Sequence, residues 1–381
     1  MFFKDIAGQE KVKEKLLNTY NGKRISHALL FAGPEGNGKL SLAIAYAQFL
    51  SCENKQVNDS CGECPSCKKY NKLIHPDLHF VFPVVKSKSF SKPVSDDYIK
   101  NWREFILGNK YHSFNKWLEF LGVGNQQAGI FSQESHEVIK KLNFKTYESE
   151  YKVMIVWMPE KMNITASNKL LKILEEPPEK TLFILVSENP DDILKTILSR
   201  TQFVKIPKIY DSALFDKLKE LYNFTDDKTN EIVRLSDGSF LRAEEIIADG
   251  NENLNNNFEL FGQMMRYCFS DKMIDIIDWT DQISKLGREK QKEFLVYSLR
   301  MIRENFILNV SENSENNIVF LANNERDFSN KFKQFIHTHN IESLITQFTN
   351  AAKNIERNGY DRLVFLDLAI KTAKLLKFKP Q

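Results

Sequence analysis

The stretch HALLFAGPEGNGKLS, residues 27–41, runs from an apolar segment through a glycine-rich turn into an alanine-rich helix, LSLAIAYAQFL. Strand, glycine loop and helix in that order predict a phosphate-binding loop at the head of an α/β fold. Gly33, Gly38 and Lys39 match G-x-x-x-x-G-K, with Gly36 inside the loop. The glycines let backbone N–H groups close around phosphates, and Lys39 would reach the terminal ones. A glycine-rich turn with no ligand is the bland alternative. The pattern next wants Ser or Thr, whose hydroxyl holds magnesium, and Leu40 stands there. Ser41 comes one residue later, about 100° around the helix, and cannot simply substitute. The loop leaves room for ATP or ADP but positions magnesium poorly.

Outward from this loop, four more apolar runs read as buried strands: LHFVFPVV (78–85), KVMIVW (152–157), TLFILVS (181–187) and QFVKI (202–206). Near-continuous apolar strands separated by helix-length segments predict a parallel sheet covered on both faces. Residues 1–207 form this P-loop domain. Between the second and third runs lies an insertion, about 86–129, with a Ser/Lys-rich start and the aromatic pieces YIKNWREFI and FNKWLEFLGV. One or two helices on the sheet's edge are expected there. After Pro207 the strand signals fade, and 208–250 fits three short helices, with DGSF (237–240) as the last turn. The Asn-rich NENLNNNF (251–258) reads as a joint. Residues 256–381 read as an all-helical domain, with SENSENN (311–317) a solvated loop. The final helix, DRLVFLDLAIKTAKLLK (361–377), keeps one narrow polar stripe at Asp367, Lys371 and Lys374, so it should be buried against several neighbours.

The strand KVMIVW ends in Trp157 and Met158, then Pro159 and Glu160. In P-loop ATPases this strand end supplies acids that hold magnesium and orient the attacking water. An indole and a thioether can do neither. Glu160 reads as a first-turn helix residue rather than a displaced base. With Leu40, two independent losses point away from hydrolysis.

The net charge is only +3 over 381 residues, which argues against a protein gripping nucleic acid unaided through a strongly basic face. No apolar run approaches the length of a membrane span, so a soluble cytoplasmic protein without membrane partners is expected. Four of the five cysteines, Cys52, Cys61, Cys64 and Cys67, are separated by eight, two and two residues. Thiolates bind zinc tetrahedrally, and a C-x-x-C turn delivers two sulfurs about 3.7 Å apart. A redox C-x-x-C is the rival reading; four thiolates fit closed, structural zinc ligation better, giving a zinc module over 52–67. His75 could replace a ligand, though HPD reads more simply as a turn. Cys268 reads as a buried free thiol.

FKDIAGQEKVKEKL, GPEGNGKLS, NKLLKILEEPPEKT and FILVSENPDDILKTILSR together resemble bacterial clamp-loader subunits of the AAA+ class, over residues 2–207. The degenerate acids and the cysteine cluster are most similar to the non-hydrolysing kind. The resemblance implies an AAA+-like P-loop domain with a zinc module, a helical lid and an all-α collar that joins subunits into a ring. It implies partners: gamma/tau-like ATPase subunits, a delta-like subunit, the sliding clamp, and primer-template DNA through the assembled complex. Intrinsic activity is not expected; the complex belongs to a DNA-directed DNA polymerase holoenzyme. Two departures stand out, the insertion between Asp77 and Ile130 and Thr201 in place of the cysteine of the family's Ser-Arg-Cys triplet.

DILKTILSR (192–200) reads as a helix ending in Ser199 and Arg200. On spacing alone, Arg200 would be a helix-terminal cation offsetting the dipole. The resemblance makes it an arginine finger, catalytic in trans on ATP held by the neighbouring subunit. Glu175 and Glu176 of LEEPP read as solvated acids at a helix end stopped by Pro177 and Pro178, with Leu170, Leu171 and Leu174 buried. Arg242 in DGSFLRAEEII reads as a surface helix residue. The resulting expectation is a non-hydrolysing subunit of a replicative clamp loader. Its alternatives are an ATP-hydrolysing motor subunit of the same machine and a stand-alone zinc-containing DNA-binding protein.

Overall fold

The computed structural model describes all residues except 88–89, 124–127, 249–251, 311–320, 322 and 378–381. Each of the five apolar runs supplies one strand: β1 (Ala28–Ala32), β2 (Leu78–Val81), β3 (Lys152–Trp157), β4 (Thr181–Ser187) and β5 (Gln202–Lys205). They form one sheet, all pairs parallel, in the order β2-β3-β4-β1-β5. β1, β3 and β4 are buried along their whole length because both faces are covered, which is why they are apolar without alternation. β5 lies at the edge, where only Val204 is buried. Leu30 of β1 sits opposite both Leu185 of β4 and Phe203 of β5. The glycine loop after β1 therefore emerges between the ends of those two strands, in the crevice where open α/β sheets place ligands.

Helices α1 (Glu10–Asn21), α2 (Lys39–Ser51) and α3 (Pro65–Tyr70) precede or follow the loop; α4 (Ile99–Gly108), α5 (Phe114–Phe120) and α6 (Glu134–Asn143) lie between β2 and β3. α7 (Ile164–Glu175) and the short α8 (Lys195–Leu198) flank β4, and α9 (Asp211–Tyr222), α10 (Asp226–Ser236) and α11 (Phe240–Ala248) follow β5. Every residue of α2 is buried. Its small residues, Ala43, Ala45 and Ala47, let neighbours approach closely from all sides.

The insertion does not stay at the sheet's edge. Trp102 of α4 stacks on Phe82 just past edge strand β2, with centroids 4.1 Å apart, and touches Trp157 one strand further in at 5.1 Å. Phe105 and Trp117 complete this aromatic cluster, and Trp117 Nε1 donates to Pro83 O at 2.8 Å. Buried rings drive the segment over the carboxyl end of the sheet.

The chain divides into two compact units, Met1–Glu244 and Glu245–Gln381. The second is helical among its described residues: α12 (Glu252–Phe269), α13 (Met273–Ser284), α14 (Arg288–Val310), α15 (Asn323–Phe332), α16 (Ile341–Glu356) and α17 (Asp361–Leu376). The Asn-rich stretch read as a joint is helical from Glu252 onward, so propensity is overridden there. α17 packs against α12, α13 and α16 and buries Phe365, Leu368 and Leu376. Its exposed side carries the Asp367–Lys371 pair at 2.7 Å. Cys268 is a buried free thiol that donates to Ala369 O at 3.3 Å. SENSENN lies outside the described residues.

Candidate functional site

The structure brings Gly33, Gly36, Gly38 and Lys39 together in one loop and shows that loop closed on itself. Gly33 presses against the exit of β5; a Cβ there would lie 2.0 Å from Ile206 O. Asn37 is fully buried, its Nδ2 donating to Ile206 O at 2.8 Å while its Oδ1 accepts from the Lys39 N–H at 3.2 Å. A backbone donor suited to phosphate is thus occupied by a side chain of the same loop. Gln9, at the start of α1, donates to Pro207 O at 2.8 Å and Asn37 O at 3.3 Å, tying the loop to the same strand exit. Lys39 is buried, with Nζ donating to Pro34 O at 3.0 Å and paired with Glu188 at 3.2 Å. Two neighbours crowd the loop from outside. Ser239 lies so close to Gly36 that a Cβ would come within 1.9 Å of its Oγ, and Phe240 N donates to Gly36 O at 2.9 Å. Tyr111, from the insertion, borders Gly38 and stacks on Phe240 at 4.2 Å.

The two positions where magnesium chemistry is missing are filled with apolar packing. Leu40 is buried in the core. Ser41 directs its hydroxyl to Lys110 O of the insertion. Trp157 is 1% exposed among Trp102, Phe105 and Phe114, where a carboxylate would be stranded without water or a partner. Met158 is buried too, with φ +57° in the left-handed region as the chain turns into the short 3-10 helix Pro159–Lys161. Glu160 braces the neighbouring strand exit, its Oε1 accepting the N–H groups of Glu188 (2.9 Å) and Asn189 (3.3 Å). Burial pushes its carboxyl above the usual range. Asn37, Tyr111, Glu188 and Ser239 were not singled out from the sequence, since no motif spacing marks residues that meet only through the tertiary fold.

Arg200 stands apart from this crevice. The segment before it is not one helix. A 3-10 turn (Pro190–Asp192), an extended Ile193–Leu194 and the four-residue α8 precede it, so little helix dipole exists for Arg200 to offset. Its guanidinium is about one-third exposed, pairs with Glu175 at 2.7 Å and donates to Thr196 O at 3.0 Å. Glu175 ends α7, which buries Leu170 and Leu174 while Leu171 is only half-buried. Arg242 is half-buried on α11, its N–H bonded to Ser239 Oγ at 3.3 Å.

The Sγ atoms of Cys52, Cys61, Cys64 and Cys67 all lie within 4.8 Å of one another, and none is in a disulfide. Cys52 caps α2 and Cys64 starts α3. Sulfur separations of 3.6 Å (Cys52–Cys61) and 3.9 Å (Cys61–Cys67) suit thiolates around one tetrahedral ion with metal–sulfur bonds of about 2.3 Å. The N–H groups of Cys61, Cys64 and Cys67 donate to the sulfurs of Cys52, Cys61 and Cys64. The backbone N–H groups of Cys64 and Glu63 draw the Cys61 thiol down to about 6. His75 is turned elsewhere, Nδ1 accepting from Asp77 N and Nε2 facing Ser149 Oγ at 3.2 Å and Glu148 at 3.1 Å. HPD is a turn, and Asp77 holds the N–H groups of Tyr147, Glu148 and Ser149.

No helix among the described residues is long and apolar enough to cross a membrane. Residues 8–210 match the family described as DNA polymerase III, delta subunit. Among curated relatives, DNA polymerase III subunit tau of Bacillus subtilis is 30% identical over 58% of this chain and 31% of its own length. Subunit delta' of Bacillus subtilis is 30% identical over 56% of this chain and 51% of its own length. Subunit gamma of Buchnera aphidicola is 25% identical over 88% of this chain and 83% of its own length. The chain thus spans about a third and a half of the two Bacillus subtilis proteins. A parallel sheet carrying a P-loop, a helical C-terminal unit and a match over residues 8–210 agree: the chain belongs to the DNA polymerase III delta subunit family of clamp-loader proteins.

Proposed function

We propose that this chain is a delta-prime-like, non-hydrolysing subunit of the replicative clamp loader, helping to place the sliding clamp on primed DNA. Its neighbours would be gamma/tau-like ATPase subunits and a delta-like subunit. The chain's role in catalysis would be to offer Arg200 to ATP held next door. One observation carries the reading: the positions that should hold magnesium and orient water, Leu40, Trp157 and Met158, are all buried in apolar packing. A guanidinium presented outward needs none of those groups, since it acts on charge developing in another subunit's site. For Arg200 to reach a phosphate it must leave Glu175, an exposed pair easily exchanged. In this scheme residues 208–250, with α9–α11, are the lid and residues 256–381 the collar.

The four cysteines would hold one structural Zn2+. With four thiolates no coordination position stays open, so the ion would contribute stability and not Lewis-acid chemistry. The cluster fastens the start of the chain: Phe2 packs on Gly62, and Asp59 accepts the N–H groups of Phe3 (3.2 Å) and Lys4 (3.1 Å).

A motor-subunit reading draws on the tau and gamma relatives and on Glu188, a carboxylate beside Lys39. The purified chain with ATP and magnesium separates the two. The proposed subunit shows no turnover above buffer, whereas a motor shows turnover that Glu188→Gln lowers. Tight, salt-sensitive DNA binding by the isolated chain would instead favour a stand-alone DNA-binding protein.

A further inference from the structure

We infer that the insertion carries a built-in occupant of the P-loop crevice: Tyr111 bridges the surfaces a bound nucleotide would otherwise join, and holds the lid shut without one. This inference does not depend on Arg200 acting as a finger.

The bridge has four contacts on four separate parts of the chain. The Tyr111 hydroxyl accepts the Ala7 N–H at 2.9 Å, in the segment ahead of α1. Its ring edge lies over Gly38, where a Cβ would come within 3.1 Å of Cε1. The carbonyl of the preceding Lys110 takes the hydroxyl of Ser41 on α2. On its far side the ring lies nearly parallel to Phe240, the first residue of α11, at an interplanar angle of 18°. Tyr111 and Phe240 are 2% and 1% exposed, so the stack is sealed from water.

The surroundings fit a permanent occupant. Gly238, with φ +73°, turns the chain so that its carbonyl accepts Ile209 N at 2.9 Å and Phe240 N meets Gly36 O. A side chain at Gly36 would collide with Ser239. Lys39 already has a counter-ion in Glu188, and the Lys39 N–H already has an acceptor in Asn37. Tyr111 itself stands on a rigid base, because the helices on either side of it contribute Trp102, Phe105 and Trp117 to the cluster around Trp157. Lids in nucleotide-driven enzymes close when the ligand supplies the bridging contacts. Here the chain supplies them, so closure needs no ligand and nucleotide has nothing to select.

Amide hydrogen exchange on the full-length chain, with and without MgATP at about 1 mM, the upper end of ordinary KM values, tests this. For wild type, exchange at Ala7 and Phe240 should be slow and unchanged by MgATP. Tyr111→Phe removes only the hydroxyl and should speed exchange at Ala7 about tenfold, as expected for one buried hydrogen bond. Tyr111→Ala should speed exchange at Phe240 as well, by about 100-fold. If Tyr111→Ala does not fold, Tyr111→Phe and the wild-type nucleotide comparison still decide. Slowing of Phe240 exchange in wild type by MgATP would overturn the inference, and so would unchanged Ala7 exchange in Tyr111→Phe.

Discussion

Lys39, on the glycine loop, and Arg200, the finger of the proposed function, are cations of one unit with opposite surroundings. The Lys39 side chain is 4% exposed, held by Glu188 and Pro34 O and covered by groups that meet over the glycine loop. The Arg200 side chain is 36% exposed, in the turn between a four-residue helix and an edge strand, and its partner Glu175 is 42% exposed. Burial fixes a charge in one arrangement, while exposure lets it change partners at little cost. The inward cation has become part of the fold, and the outward one sits in an exposed pair, the arrangement that the proposed finger role requires.

Restoring an acid to the strand end should break the inward half outright. Trp157→Asp would strand a carboxylate among Trp102, Phe105 and Phe114 and leave a cavity. A loss of about 4 kcal/mol is expected, seen as a melting temperature lower by roughly 10 °C with no gain of ATPase. A stable Trp157→Asp protein that hydrolyses ATP would mean the crevice had kept its magnesium geometry.

The insertion's attachment has a pH signature. Glu134 of α6 accepts the Ser95 N–H at 2.6 Å, and burial holds its carboxyl up at about 7. Its folded pKa lies above the unfolded one. The unfolded chain therefore loses its proton first, and stability falls as pH rises from about 4.5 to 7. Glu134→Gln should flatten that slope and add roughly 2 kcal/mol at pH 8. Denaturant titrations at pH 5 and pH 8 measure both.

The outward half should respond far more gently to its own pair. Glu175→Gln weakens the hold on Arg200, an exposed interaction worth about 0.5 kcal/mol. Stability should change by less than that, and neighbouring-subunit ATPase should rise by about twofold or less. A large loss of stability would show that Glu175 and Arg200 form a structural clasp.

The strands, α2 and α9–α11 were legible because apolar runs, glycine turns and helical spacing are local signals. The absence of magnesium ligands was legible too, since Leu40, Trp157 and Met158 occupy motif positions. What replaced them was not. Trp102 meets Trp157, and Tyr111 meets Phe240, across more than fifty residues in each case, and an aromatic residue in a loop does not announce its partner. The same limit hid Asn37, which meets Ile206 O only through the fold. The helix assumed before Arg200 failed for a local reason: Pro190 opens a short 3-10 turn, and the chain is extended at Ile193.

The most direct test is the ATPase rate of the assembled complex, containing the neighbouring ATPase subunits, clamp and primed DNA, with this chain as wild type, Arg200→Ala or Lys39→Ala. The account predicts a loss of about 10³-fold at the adjoining site for Arg200→Ala and no change for Lys39→Ala once assembly is matched. An unchanged rate for Arg200→Ala together with a collapse for Lys39→Ala would contradict it.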